Sequence, residues 1–103
     1  MKIPEKIKFL GHEYEVRQLP QNEIGGGCNG ETWMKLHKIN IDDYVPQSRK
    51  ESVLLHEIIE IVNCQFGLEL DHWKIGCLEE TLYATLKENK LNYGDDSNAI
   101  KKG

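Results

Sequence analysis

The sequence predicts an α+β fold: a short antiparallel sheet of about three strands packed on two main helices. Three observations carry this. Residues 5–45 show strand-like alternation, residues 48–66 form an apolar-rich helical block, and residues 71–88 repeat apolar side chains at spacings of three and four.

The strand zone opens with Lys6-Ile7-Lys8-Phe9, which alternates polar and apolar residues. Gly11-His12 is a turn candidate, and Tyr14-Glu15-Val16 resumes the alternation, so this stretch predicts a hairpin or two short strands. Gly25 to Gly30 is a glycine-rich loop. The run from Thr32 to Ile41 follows, and its second half alternates at Leu36, Ile39 and Ile41 with one slip, which predicts a strand. Asp42 to Pro46 closes the zone as a loop.

The first helix has clear boundary signals. Ser48-Arg49-Lys50-Glu51 fits a capping box, in which Ser48 accepts from a free backbone N–H and Glu51 reaches back to the N–H of Ser48. Val53, Leu54, Leu55, Ile58, Ile59, Ile61, Val62 and Phe66 cover more than one narrow stripe, which predicts the central, most buried helix. Gly67 falls where a left-handed C-terminal residue is wanted. The second helix starts at Asp71 as N-cap, and Ile75, Leu78, Leu82 and Leu86 form its predicted apolar face. It fades near Asn89 to Asn92. Residues 1–92 are therefore expected to form one domain, followed by a polar, disordered tail over 93–103.

Composition narrows the function classes. The 103 residues are 39% hydrophobic and 29% charged, with 13 Lys+Arg against 17 Asp+Glu. A net charge of −4 lacks the basic footprint of a phosphate-backbone binder, so no nucleic-acid partner is expected. No apolar stretch approaches the roughly 18 residues of a membrane span, and no apolar run follows the N-terminal Met1 to Lys6, so neither a membrane segment nor a signal peptide is expected. Cys28, Cys64 and Cys77 are odd in number and lack CxxC spacing, which suggests reduced thiols and a cytoplasmic location.

The chemistry concentrates in Val53 to Asn63. His56 and Glu60 lie four residues apart, so on a helix they share a face with β-carbons about 5–6 Å apart. Both side chains can then reach one cation, and zinc accepts imidazole nitrogen and carboxylate oxygen alike. Glu57 lies roughly 100° further round, which suits a general base on water beside the metal better than a third ligand. The pattern is HExxE, in which a carboxylate replaces the second imidazole of HExxH. The extra negative charge widens the site to harder divalent metals such as manganese or iron.

A third ligand should come from another element. His72 at the start of the second helix is the best candidate. Glu79, seven residues on, is a serious competitor, because antiparallel packing carries it toward the middle of the first helix. Tyr83, one turn further, could donate to a bound carbonyl. Three polar groups inside a strongly apolar helix are costly unless they pair or bind something. Elsewhere, Cys64 and Cys77 read as small core residues, Trp33 and Trp73 as core or pocket lining, and His12 and His37 as surface strand residues.

The helix VLLHEIIEIVN, the link GLELDHWKI and the second helix LEETLYATLKEN resemble those of small zincin-like metallopeptidase proteins of phages and bacterial mobile elements. Gly11, Tyr14 and Val16, the strand from Leu36 to Ile41, and the rhythm of Ile75, Leu78, Leu82, Tyr83, Leu86 and Asn89 extend the likeness over residues 7–92. The resemblance implies a minimal zincin-like fold, with His56, Glu60 and His72 as zinc ligands and Glu57 as the base. It also implies a peptide or protein substrate lying along an edge strand beside the cleft. The implied function is a zinc-dependent metallopeptidase or hydrolase in the cytoplasm of a bacterial host. The alternative is a non-catalytic phage-type protein that binds a host protein and keeps a structural or vestigial metal site. A third option is a plain α+β domain in which His56 and Glu60 are a hydrogen-bonded pair.

Overall fold

A computed structural model describes residues 2–25 and 28–91. The expected 93–103 tail lies outside them. The fold is α+β, with four strands and two long helices: β1 (Lys6–Phe9), β2 (His12–Leu19), β3 (Gly30–Trp33), β4 (Lys38–Asp42), α1 (Gln47–Phe66) and α2 (His72–Glu88). Short 3₁₀ turns at Gln21–Glu23 and Met34–Leu36 precede β3 and β4.

The hairpin of β1 and β2 forms as expected, with Phe9 opposite His12. Leu10 and Gly11 both take positive φ, 54° and 79°, the two-residue turn whose twist suits a hairpin. The next segment departs from the expectation in strand number. The single strand read from the second half of Thr32 to Ile41 is two strands separated by a turn. Met34–Leu36 winds into a 3₁₀ turn and His37 caps it at φ 54° in the left-handed region, which reverses the chain. The slip in the alternation was that turn, and Leu36 is exposed rather than inward.

The sheet order is β1-β2-β4-β3 and the sheet is mixed, not wholly antiparallel. β4 pairs antiparallel with β3 but parallel with β2, from Glu15 opposite Lys38 to Leu19 opposite Asp42. This follows from the connection after β2, which sends β3 to the outer edge so that β4 returns between them. β3 is thereby an edge strand.

One face of the sheet, with Tyr14, Val16, Ile39 and Ile41, packs on Val53, Leu54 and Ile61 of α1. Each fully buried Ile or Leu there contributes about 1.5–3 kcal/mol. The opposite side of α1 packs Leu55 and Ile59 against Ile75, with Leu70, Tyr83 and Leu86 around them. α1 is thus the central layer, as its broad apolar surface predicted. The face of α2 differs in detail. Ile75, Tyr83 and Leu86 turn inward, while Leu78 and Leu82 are exposed.

The helix ends show a second correction. Pro46 is the N-cap of α1, and Ser48 lies inside the helix. Pro46 already supplies the carbonyl for the N–H groups of Arg49 and Lys50, so a side-chain cap has little left to satisfy. Glu51 is not a capping residue. It is buried, and accepts hydrogen bonds from the Tyr83 hydroxyl at 2.6 Å and the Lys87 ammonium at 3.3 Å. Gly67 ends α1 at φ 59°, with Gly67 N–H on the Cys64 carbonyl and Leu68 N–H on the Asn63 carbonyl. Asp71 is the N-cap residue of α2 by position, but its side chain makes no capping bond.

Two further expectations fail by exposure and a third by position. Cys64 and Cys77 are exposed free thiols, as is Cys28. Trp73 is 65% exposed and Trp33 43%. His37 sits in the turn rather than in a strand, with its ring 4.7 Å from that of His12 and 4.8 Å from that of Tyr14. Among the described residues, no helix is long and apolar enough to cross a membrane.

Candidate metal centre

His56, Glu60 and His72 come together. One ligand atom from each lies within 4.8 Å of the others. α1 supplies the first two from successive turns of one face, as the spacing required. The left-handed turn at Gly67 and the Leu68 to Asp71 link bring the first residue of α2 back over that face. The His56 and His72 rings meet edge to face with centroids 5.4 Å apart. His56 and Glu60 are half-buried, and His72 is exposed at the rim.

Two imidazoles and a carboxylate this close could hold a divalent cation. Ligand atoms about 2.0–2.1 Å from a tetrahedral zinc lie roughly 3.3 Å apart. His56 Nε2 and Glu60 Oε2 are 3.2 Å apart. The three ligand atoms together span no more than 4.8 Å.

Glu79 has a different place from the one weighed in sequence. Its Oε1 is 2.8 Å from His56 Nδ1, on the far side of the ring from Glu60. One imidazole therefore has a carboxylate on each nitrogen. A neutral ring carries one N–H and can donate to only one of them. With the proton on Nδ1, held by Glu79, Nε2 presents a lone pair toward Glu60, a pairing that a bound cation or a second ring proton makes favourable. A carboxylate on the remote nitrogen of a metal-binding histidine fixes its tautomer and orientation. A doubly paired imidazolium accounts for Glu60 and Glu79 without His72, which lies exposed beside them.

Glu57 is buried, at 7% exposure, and sits between α1 and β3. Its Oε1 accepts from the Thr32 hydroxyl at 2.7 Å. Burial pushes its carboxyl up, against the lowering effect of the Thr32 bond and of nearby His56. A cavity of about 410 Å³ is lined by Cys28, Asn29 and Gly30 on one side and by His56, Glu57, Glu60, His72 and Glu79 on the other. A second, of about 270 Å³, lies past Glu57 and is lined by Thr32, Met34, Ile61 and Cys64. Glu57 and Glu60 border both, so the edge of β3 runs beside the whole site.

Tyr83 does not face this cavity as a donor to a bound carbonyl. Its hydroxyl is committed to Glu51.

Sequence reasoning missed the residues that hold β3 in place. Gly30 lets β3 approach α1: a Cβ there would lie 2.5 Å from Val53 Cγ1 and 3.4 Å from Glu57 Oε2. On the other face of the sheet, Arg17 donates to Asn40 at 2.9 Å, and Asn40 donates to Glu31 at 2.9 Å. Glu31 also accepts from the Gly25 N–H at 3.0 Å, which ties the glycine loop to β3. A glycine entering a strand is the one local signal of such close approach. The chain matches no protein-family model, curated protein or solved structure.

Proposed function

We propose that the protein is a metal-dependent hydrolase acting on peptides, with zinc held by His56, Glu60 and His72. The observation that carries this reading is the His56 ring, flanked by a carboxylate on each nitrogen, with His72 close enough to share an ion with His56 and Glu60. Zinc, when bound, polarises a carbonyl and lowers the pKa of water.

The chain's own residues then divide the work. Glu79 holds the Nδ1 proton of His56 and aims Nε2 at the metal position. Thr32 anchors one oxygen of Glu57, leaving the other to hold the proton removed from the attacking water. The edge of β3 offers unpaired backbone groups on which an extended peptide can add as a strand. These features agree with the zincin-like resemblance of the HExxE helix.

The test is Glu57→Gln in metal-loaded protein, with peptide-library cleavage followed by mass spectrometry. The reading predicts unchanged metal stoichiometry and loss of cleavage by a factor of about 10² or more. Cleavage equal in wild type and variant would refute the role of Glu57. Metal retention with no cleavage by either protein would favour the non-catalytic alternative.

A further inference from the structure

On the reading of the site as a metal centre for peptide hydrolysis, we propose that Arg49 selects substrates carrying a carboxylate two or three residues from the bond cleaved. Arg49, Val53, His56 and Glu60 follow one another at spacings of four, three and four, so they form a single stripe along α1. All four line the same cavity. Arg49 is the sole Lys or Arg among the described residues lining it; the other charged residues there are Glu57, Glu60 and Glu79.

The guanidinium is available for a ligand. The Arg49 side chain makes no hydrogen bond or ion pair among the described residues, and the residue is exposed. Glu79 and Glu80 of α2 line a neighbouring cavity with Arg49, but Glu79 spends its Oε1 on His56 and neither is paired with the guanidinium among the described residues. Glu57 is committed to Thr32. An arginine without a partner, in a cavity whose other charged side chains are Glu57, Glu60 and Glu79, presents a planar fork that matches an incoming carboxylate in two parallel bonds.

The spacing sets the reach. Seven residues of helix place Arg49 about 10.5 Å along the axis from His56. An extended peptide covers about 10 Å in three residues. A carboxylate at that distance can be the C-terminal carboxylate of a short peptide or the side chain of an acidic residue.

The test uses zinc-loaded full-length protein, isothermal calorimetry and succinyl hydroxamates that anchor on the metal. Four tails are compared: Ala-Ala with a free carboxylate, its C-terminal amide, an Ala-Glu amide and an Ala-Gln amide. The proposal predicts that at least one carboxylate tail binds about tenfold or more tightly than its neutral partner. Which pair shows the gain tells a C-terminal carboxylate from a side chain. The gain should vanish in Arg49→Gln and persist in part in Arg49→Lys, with zinc stoichiometry unchanged in both. Zinc binding with no gain for either carboxylate, or a gain that survives Arg49→Gln, would overturn the role of Arg49 and leave the metal centre standing. Failure of the wild-type protein to bind zinc would overturn both.

Discussion

Gly30 lets β3 approach α1 closely, and Gly30→Ala tests whether that approach positions the site. A Cβ would sit 2.5 Å from Val53 Cγ1, 3.2 Å from the Asn40 carbonyl oxygen and 3.4 Å from Glu57 Oε2. Carbon atoms pack at about 3.5–4.0 Å, so β3 and α1 must part by about 1 Å. Val53 cannot easily swing away, because a valine in a helix holds one strongly preferred rotamer. Overpacking of this kind costs about 1–3 kcal/mol. Val53→Ala alone removes two methyl groups and costs about 2 kcal/mol. It also removes the atom that clashes. The double variant should therefore lose about 1–2 kcal/mol less than the sum of the single losses. Urea unfolding of the four proteins measures this, with m held constant as the check that only stability changed. A neutral Gly30→Ala, or losses additive within about 0.5 kcal/mol, would refute the reasoning.

Other consequences follow from the same geometry. Glu79→Gln should keep one metal per chain but weaken zinc affinity by about 10–100-fold, read by competition with a chromogenic chelator, and unchanged affinity would remove Glu79 from its positioning role. Glu51 tests the buried end of the helix pair. Burial raises its carboxyl, but hydrogen bonds, those from Tyr83 and Lys87 among them, outweigh that and hold it at about 2 rather than the usual 4.5. Its folded value is depressed, so its contribution is present above pH 4.5 and lost as pH falls through about 2. Burial and the Glu51 carboxylate push Tyr83 from 10.0 up to about 12, so its contribution is present below pH 10 and lost as pH rises through about 12. Tyr83→Phe should cost about 2 kcal/mol near neutral pH and flatten the alkaline loss in urea midpoints, and an unaltered alkaline limb would contradict the assignment.

Much of the architecture was legible because periodicity reports burial. The broad apolar surface of α1 marked it as central, and the four-residue step from His56 to Glu60 set their shared face. The local signals misled where tertiary structure decided the outcome. Ser48 and Glu51 fit a capping box, yet Pro46 caps the helix and Glu51 is drawn inward by Tyr83, a partner 32 residues away. Leu78 and Leu82 fit the helical rhythm, yet α2 turns Tyr83 and Leu86 toward α1, and the polar contact of Glu79 with His56 helps fix that rotation. Residue spacing favoured His72 with Glu79 as its competitor; in the fold Glu79 bonds His56 Nδ1, and His72 groups with His56 and Glu60. Gly30 and Thr32 were passed over because their roles depend on a contact between β3 and α1 that no spacing within one element encodes.

The most direct test of the central claim is a zinc titration of chelator-treated protein, followed by calorimetry and metal analysis. The account predicts saturation at one zinc per chain, loss of binding in His56→Ala, strong weakening in Glu60→Ala and His72→Ala, and retention in Glu57→Gln. No saturable binding by the wild-type protein, or binding undiminished in His56→Ala, would contradict it.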